Sequence, residues 1–317
     1  HGKVSIDLDE DNNVKQARLH VVEFRGFERF IQGRPYWEVP VLVQRLCGIC
    51  PVSHHLCAAK AMDGIVGATT LTPTAEKMRR LMHYGQTFQS HALHFFHLSS
   101  PDILFGFDAD PAIRNVLGVA QEYPELAVQG ITMRAYGQEI IRLTAGKKIH
   151  GTGAIPGGIN KNLSIAERDS LLPDIEQMLE WSRSALQIAK DYTVENLEML
   201  APFGSFDSNH AGIVDANGGM DLYDGKFRVR DAAGNTLLDQ MDPSDYVEHI
   251  AEEVRPWSYM KFPFLKAVGP ADGWYRVGPL ARVNVSDSID TPEAEAARAE
   301  FMSVTDGKPN NISMAYH

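Results

Sequence analysis

A chain of 317 residues is long enough to bury a large core and to hold one or two domains. Its formal net charge of −11 argues against a nucleic-acid partner, because phosphates need a basic surface, and no apolar run approaches the roughly 20 residues that span a bilayer. The three cysteines, all between positions 47 and 57, are too few and too close for a disulfide framework; a reducing, cytoplasmic setting is expected, and no secretory signal is visible at His1.

Residues 3 to 22 alternate Val4, Ile6 and Leu8 with polar neighbours, break at Asp9–Asn13 and resume at Val14, which predicts a β-hairpin. Glu28 follows in a loop-like stretch, where a solvated carboxylate is the ordinary reading. Arg45-Leu46-Cys47-Gly48-Ile49-Cys50-Pro51-Val52-Ser53-His54 comes next. Pro51 suits the first turn of a helix, and Val52 to Val66 is rich in helix formers, so Cys50 is expected at a helix N-terminus. There the positive end of the dipole favours thiolate over thiol. His54 falls one turn later on the same side. Read alone, the Cys-x-x-Cys is half of a zinc site, a redox dithiol, or half of a thiolate cage for another soft metal. Cys57, two turns beyond Cys50, is expected to be a small buried apolar residue.

Thr72 to Leu98 has a helical pattern, and its His91, His94 and His97 drift round the helix rather than converging; hydrogen-bonded packing is expected of them. Asp102 follows Pro101, where a bland capping role is possible. Ala112 to Leu143 predicts more helix, interrupted at Gly118, Pro124 and Gly130. The glycine-rich stretch from Ala145 to Asn162 has no phosphate-loop fingerprint, and its Pro156-Gly157-Gly158 reads as a rigid turn packed near the site. Ser164 and Glu167 form a capping box for a helix that could reach Leu200, with a break at Pro173. From 221 to 241 the pattern changes to short strands at 222–223, 227–229 and 237–238, a small β excursion. Asp242 to Val254 reads as helix, Trp257 to Pro263 as a buried irregular connection, and Thr291 to Met302 as a last helix. Arg282 lies in Gly278-Pro279-Leu280-Ala281-Arg282, where an ion pair and a role near the site are both open.

Arg45, Cys47, Gly48, Cys50 and His54 together resemble the first metal-binding motif of nickel–iron hydrogenase large subunits. Other segments are similar to the same family in the same order: Phe24-Arg25-Gly26-Phe27-Glu28, His94-Phe95-Phe96-His97 with Asp102, Ile155-Pro156-Gly157-Gly158, and Gly278 to Asn284. The resemblance implies a mainly α fold with small β additions, one large-subunit domain over residues 1–317, and a nickel–iron centre with diatomic ligands on iron. By that resemblance Cys47 is a terminal nickel ligand and Cys50 a bridging one. His54 donates to the bridging sulfur, Arg45 sets the charge around the centre, Asp102 orients polar groups above it, and Glu28 helps hold magnesium. A surface or structural ion pair is the plain alternative for Arg45.

The most similar group is the cytoplasmic one linked to NAD or NADP, in which partner subunits carry iron–sulfur clusters and a diaphorase reduces the nucleotide. No nucleotide fingerprint occurs in this chain, so NAD(P) belongs to a partner. The family's second Cys-x-x-Cys and the Glu-Gly before the residue matching His1 have no counterpart here, which implies a longer polypeptide, incomplete at both ends. The rival readings are a hydrogenase with another acceptor, a structural homologue that has lost its metals, and a zinc protein.

Overall fold

The computed structural model describes residues 2–23, 26–68 and 70–304. Phe24 and Arg25, and the end of the chain from 305, lie outside them. The chain divides into two compact units, one formed by the N-terminal hairpin with the residues from Leu197 onward, the other by Phe27–Asn196.

The hairpin pairs β1 (Gly2–Leu8) with β2 (Val14–Val21), Val4 opposite Leu19 and Ile6 opposite Ala17. Its faces are inverted relative to ordinary patterning. Ser5, Arg18 and His20 turn toward the rest of their unit, where His20 Nδ1 lies 2.8 Å from the Trp257 carbonyl and the Arg18 guanidinium sits over the Trp257 ring. Val4, Ile6, Leu8, Val14 and Leu19 are exposed.

The second unit is helical. Glu28, expected in a loop, stands in the first turn of the short helix α1 (Phe27–Ile31). After α2 (Val39–Val43) and a 3-10 turn at Gln44–Leu46 comes α3 (Pro51–Val66), with Pro51 at its first position and Gly67 closing it at φ 74°, a left-handed conformation that glycine adopts without strain. Thr72 caps α4 (Pro73–Leu93) by accepting from the Ala75 N–H. The helical pattern extends as expected to about Leu98, but from His94 to Ser99 the coil widens into a π-helix before α5 (Ser100–Phe105).

α6 (Val116–Glu122) and α7 (Pro124–Ala145) break only at Tyr123, because Pro124 cannot continue the preceding helix. Gly118 and Gly130 were expected as interruptions but sit within helices, where they make room. A Cβ on Gly118 would lie 1.9 Å from the Ile113 carbonyl oxygen, and one on Gly130 would lie 2.4 Å from Phe96 Cβ. α4 and α7 pack along each other. Ala92, Phe96, Met133 and Met178 form one core cluster, with Phe88, Tyr136 and Trp181 against it, and Ile140, Leu143 and Leu171 form another. The Pro-Gly-Gly turn joins β3 (Ala154–Ile155) to β4 (Gly158–Ile159). The capping box of Ser164 and Glu167 opens α8 (Ile165–Leu171), and α9 (Ile175–Glu195) follows a turn containing Pro173.

Beyond α10 (Leu197–Leu200) the chain turns to β structure wider than the excursion expected at 221–241. β5 (Asn209–Val214) pairs antiparallel with β6 (Lys226–Arg230), which pairs with β7 (Thr236–Met241). Residues 222–223 are not a strand. The helix expected over 242–254 shrinks to α11 (Tyr246–His249), and Ile250–Val254 forms β8, antiparallel to β9 (Lys261–Leu265). The β-branched Ile250 and Val254 fit a strand, and cross-strand partners outweigh the weak helical pattern. β10 (Tyr275–Arg276) adds parallel to β5, completing a sheet ordered β10-β5-β6-β7. Buried Arg228 on β6 pairs with Asp239 and Asp287 and donates to the Val285 carbonyl of α12 (Pro279–Val285), and α13 (Pro292–Val304) ends the described chain. Arg282 of α12 is drawn below its usual pKa by burial rather than held up by a carboxylate. The fold is mainly α with small β additions.

Candidate metal centre

The 3-10 turn ending at Leu46 delivers Cys47 in extended backbone (φ −142°, ψ 138°), and Cys50 occupies the position before the first turn of α3. This places the Cys47 Sγ, the Cys50 Sγ and a His54 ring nitrogen within 4.8 Å of one another. No other group of three His, Cys, Asp or Glu with such spacing occurs among the described residues. Cys47 and Cys50 are half-buried, while Cys57, expected inside, is exposed and outside the group.

The loop between the thiols folds back on its own sulfur. The backbone N–H groups of Ile49 and Cys50 donate to Cys47 Sγ at 3.3 and 3.2 Å. Burial alone would raise the Cys47 thiol, but the hydrogen bond from Cys50 and these two N–H groups outweigh it and hold its pKa below the ordinary thiol value. Cys50 moves the other way, pushed up to about 11 by burial first and then by its hydrogen bond to Cys47 and the charge there. The expectation of a thiolate at Cys50 from the helix dipole is therefore reversed.

Several contacts hold this region, and Gln86, Gln89, His150, Asp63 and Arg79, which make them, were not singled out in the sequence. Gln86 and Gln89 of α4 both donate side-chain amides to the Ile49 carbonyl, at 3.1 and 2.9 Å. His150 reaches the Cys47 carbonyl through Nε2 and the Arg45 guanidinium through Nδ1, both at 3.1 Å. His55, buried on α3, spans from the Pro40 carbonyl at 2.9 Å to the Ala154 N–H at 3.1 Å. Fully buried Arg79 grips Asp63 of α3 with two nitrogens and also donates to the carbonyls of Ile155 and Gly158, while Asp63 accepts from the Gly157 N–H. The Pro-Gly-Gly turn is thus tied to α3, the helix that begins just after Cys50. The signal available in the sequence was the glycine-rich stretch around His150; nothing in the pattern of α4 set its glutamines apart from surface residues.

Asp102 is half-buried on α5 beside Arg114, with Nε and Oδ1 3.6 Å apart, and Glu28 is exposed on α1; neither joins the three-residue group. His91 and His94 are exposed on their helix, with His91 Nδ1 2.8 Å from the Thr87 carbonyl and His94 Nδ1 3.3 Å from Ser99 Oγ.

Two sulfurs and an imidazole this close could hold a metal ion of the thiolate-binding class, since soft sulfur donors select nickel, iron, zinc or copper over magnesium or calcium. Comparison with known proteins narrows the class. The nickel-dependent hydrogenase family matches residues 25–125, and a family described as HoxL-like matches residues 1–24. The NAD-reducing hydrogenase HoxS subunit beta of Cupriavidus necator is 45% identical over 99% of this chain, and the vhu F420-non-reducing hydrogenase of Methanocaldococcus jannaschii is 43% identical over all of it. The chain spans 66% of the first relative's length and 75% of the second's. A crystal structure of a NAD+-reducing NiFe-hydrogenase in the H2-reduced state superposes over the whole chain with a TM-score of 0.96 and 58% identity, covering 70% of that protein. A Ni-Fe-Se hydrogenase from D. vulgaris Hildenborough, 22% identical with a TM-score of 0.75 over 98% of this chain and 71% of its own, shares the fold. This chain belongs to the nickel-dependent hydrogenase large-subunit family.

Proposed function

We propose that the chain supplies the Cys47–Cys50 half of a nickel–iron centre in a hydrogenase that cleaves H2 heterolytically and passes electrons through an iron–sulfur partner subunit toward NAD(P). The observation that carries this reading is the convergence of Cys47 Sγ, Cys50 Sγ and the His54 ring within 4.8 Å. Names borne by similar proteins, a NAD-reducing hydrogenase among them, support the reaction and the acceptor. A bound nickel–iron centre would supply the electrophilic metal that H2, lacking any handle for a hydrogen bond, requires.

The chain's own residues do the rest. The hydrogen bond from Cys50 and two backbone N–H groups favour the Cys47 thiolate, the form that binds metal, whereas burial and the neighbouring sulfur oppose ionisation of Cys50. Negative sulfur also offers a base close to where H2 must split. His54, one turn into α3, stands beside both sulfurs and would tune Cys50 by donating to its sulfur when the centre is bound. Arg45 contributes positive charge at the rim and anchors His150. Asp102, next to Arg114, would orient polar groups above the metals, and the Glu28 carboxylate is of the oxygen type that magnesium prefers. Iron–sulfur clusters and nucleotide-reducing diaphorase subunits would belong to partners, in a cytoplasmic assembly; no helix among the described residues is long and apolar enough to cross a membrane.

Replacing Cys50 with Ser is expected to abolish hydrogen uptake and to strip nickel and iron from the complex together, read by gas consumption and elemental analysis. Uptake that persists with metals bound overturns the site. Zinc alone in the unsubstituted protein supports a zinc site instead, and an intact complex with no transition metal supports a structural homologue.

A further inference from the structure

Two peptide carbonyls in the loop between the thiols are held from outside it, and the residues that hold them come from distant parts of the Phe27–Asn196 unit. We propose that Gln86, Gln89 and His150 are positioning residues for the thiol pair, a set of three side-chain donors that fixes the loop in its ligating conformation before any metal arrives. The inference rests on the hydrogenase reading above, and it adds to that reading the residues that prepare the site.

A peptide unit is planar and trans, so its carbonyl and the following N–H point in opposite directions within one rigid plate. The Ile49 carbonyl and the Cys50 N–H share such a plate. Gln86 and Gln89, one helical turn apart on α4, draw the Ile49 oxygen toward themselves at 3.1 and 2.9 Å. The Cys50 N–H is thereby aimed the other way, onto Cys47 Sγ at 3.2 Å. The Cys47 carbonyl and the Gly48 N–H form another plate, held by His150 Nε2 at 3.1 Å. Fixing that plate fixes the backbone direction from which the Cys47 side chain departs. Each thiol is thus set by one externally held plate.

The chemistry of the donors agrees with a holding role. Ile49 O only accepts, so both glutamine amides must present nitrogen to it; two donors use both of its lone pairs. These glutamines are 2% and 4% exposed, while the Ile49 side chain is 51% exposed: the loop turns its side chain out and its carbonyl in. Arg45 can only donate, so His150 Nδ1 accepts from it and Nε2 carries the hydrogen that reaches the Cys47 carbonyl. The ring is held in one tautomer by a residue of the same motif. His150 also stands at φ 55°, a left-handed conformation that a side chain with a Cβ seldom adopts and that persists only where surrounding contacts over-determine it. The residue bearing that strain is the one whose ring makes both bonds.

The test uses the intact hydrogenase complex and variants that change the donor while nearly keeping the shape. Gln89→Glu replaces the amide by a carboxylate that has only acceptors to offer Ile49; His150→Leu removes both ring bonds; His150→Gln keeps one N–H donor at the same reach. Nickel and iron per complex are measured before and after dialysis against a chelator, with the nickel electron paramagnetic resonance signal and far-UV circular dichroism alongside. Gln89→Glu and His150→Leu are expected to keep the fold, to bind metal 10- to 100-fold less tightly, in the range typical when a residue supporting a ligand is lost, and to broaden the nickel signal. His150→Gln is expected to match the unsubstituted complex. Retention equal to the unsubstituted complex in folded Gln89→Glu and His150→Leu overturns the proposal, as does His150→Gln losing as much metal as His150→Leu. Gln86→Glu, which leaves Gln89 in place, decides by the same signal if either harsher variant fails to fold: broadening supports the clamp and an unchanged signal overturns it. An unsubstituted complex without nickel and iron would sink the hydrogenase reading itself, a separate result.

Discussion

Arg79 and Asp63 bury opposite charges where neither meets water freely, Arg79 with no exposure and Asp63 with 7%. The pair persists because further hydrogen bonds surround it, to the carbonyls of Ile155 and Gly158 on one side and from the Gly157 N–H on the other. Asp63→Ala leaves the guanidinium buried without its carboxylate and is expected to cost about 3–5 kcal/mol, read as a lower urea midpoint at unchanged m-value. An unshifted midpoint would mean that the carbonyls alone satisfy Arg79. His210 on β5 illustrates the opposite strategy, a buried group kept neutral. Burial, and then the nearby Arg276 charge, bring its pKa to about 4. The unfolded histidine titrates near 6.5, so between the two values the unfolded state binds more protons. The contribution is fully present above pH ~6.5 and is lost as pH falls toward 4, a span of roughly 3 kcal/mol at most. Denaturant melts across pH 4–7 are expected to show this slope, and His210→Leu to flatten it; a slope unchanged by the substitution would assign it to other groups.

Among the elements, the crossing of α4 and α7 does most to position the thiol loop, because α4 carries Gln86 and Gln89. That crossing is close: a Cβ on Gly137 would lie 2.8 Å from the Gly85 carbonyl oxygen and 2.9 Å from the Gln89 nitrogen, both backbone atoms that cannot swing aside. Gly137→Ala must push the helices apart, at about 1–3 kcal/mol for overpacking, and the displaced glutamines are expected to loosen Ile49 as well. Thermal unfolding and nickel content measured on the same sample test this; a lower melting temperature at full nickel content would separate packing from the site. The N-terminal hairpin shows how strand pattern and burial can part. Its alternation is regular, yet the polar set faces Trp257 and Ser258 because His20, Arg18 and the Val21 N–H find partners there.

At the scale of the whole chain, the two compact units meet in sequence at Gly26 and Phe27 and again at Asn196 and Leu197. Residues 201–207, just after this second boundary, are all exposed, and Phe203 is 62% exposed. Chymotrypsin is therefore expected to cut first at Phe203, giving two fragments identifiable by mass, since loop tips with exposed backbone are the preferred sites of nicking. First cuts within α4 or α7 would show that the helical unit opens more readily than its buried core implies.

The Cys-x-x-Cys, the helix after it, the capping box at Ser164 and the break at Pro124 were all legible in the sequence, because each depends on residues a few positions apart whose backbone preferences are local. So was the family, whose motifs are short strings of residue types. Tertiary structure decided what depends on distant partners: that Ile250–Val254 is a strand rather than helix because Lys261–Leu265 lies beside it, and that Cys57 faces out. It also decided the direction in which each thiol is shifted. The dipole argument for Cys50 considered one helix alone, whereas burial and the neighbouring sulfur push Cys50 up, and the loop's N–H groups point at Cys47. Gln86, Gln89 and His150 lie 37 to 105 residues from the atoms they hold, a separation at which no pattern in the chain distinguishes a buried donor from a solvated one.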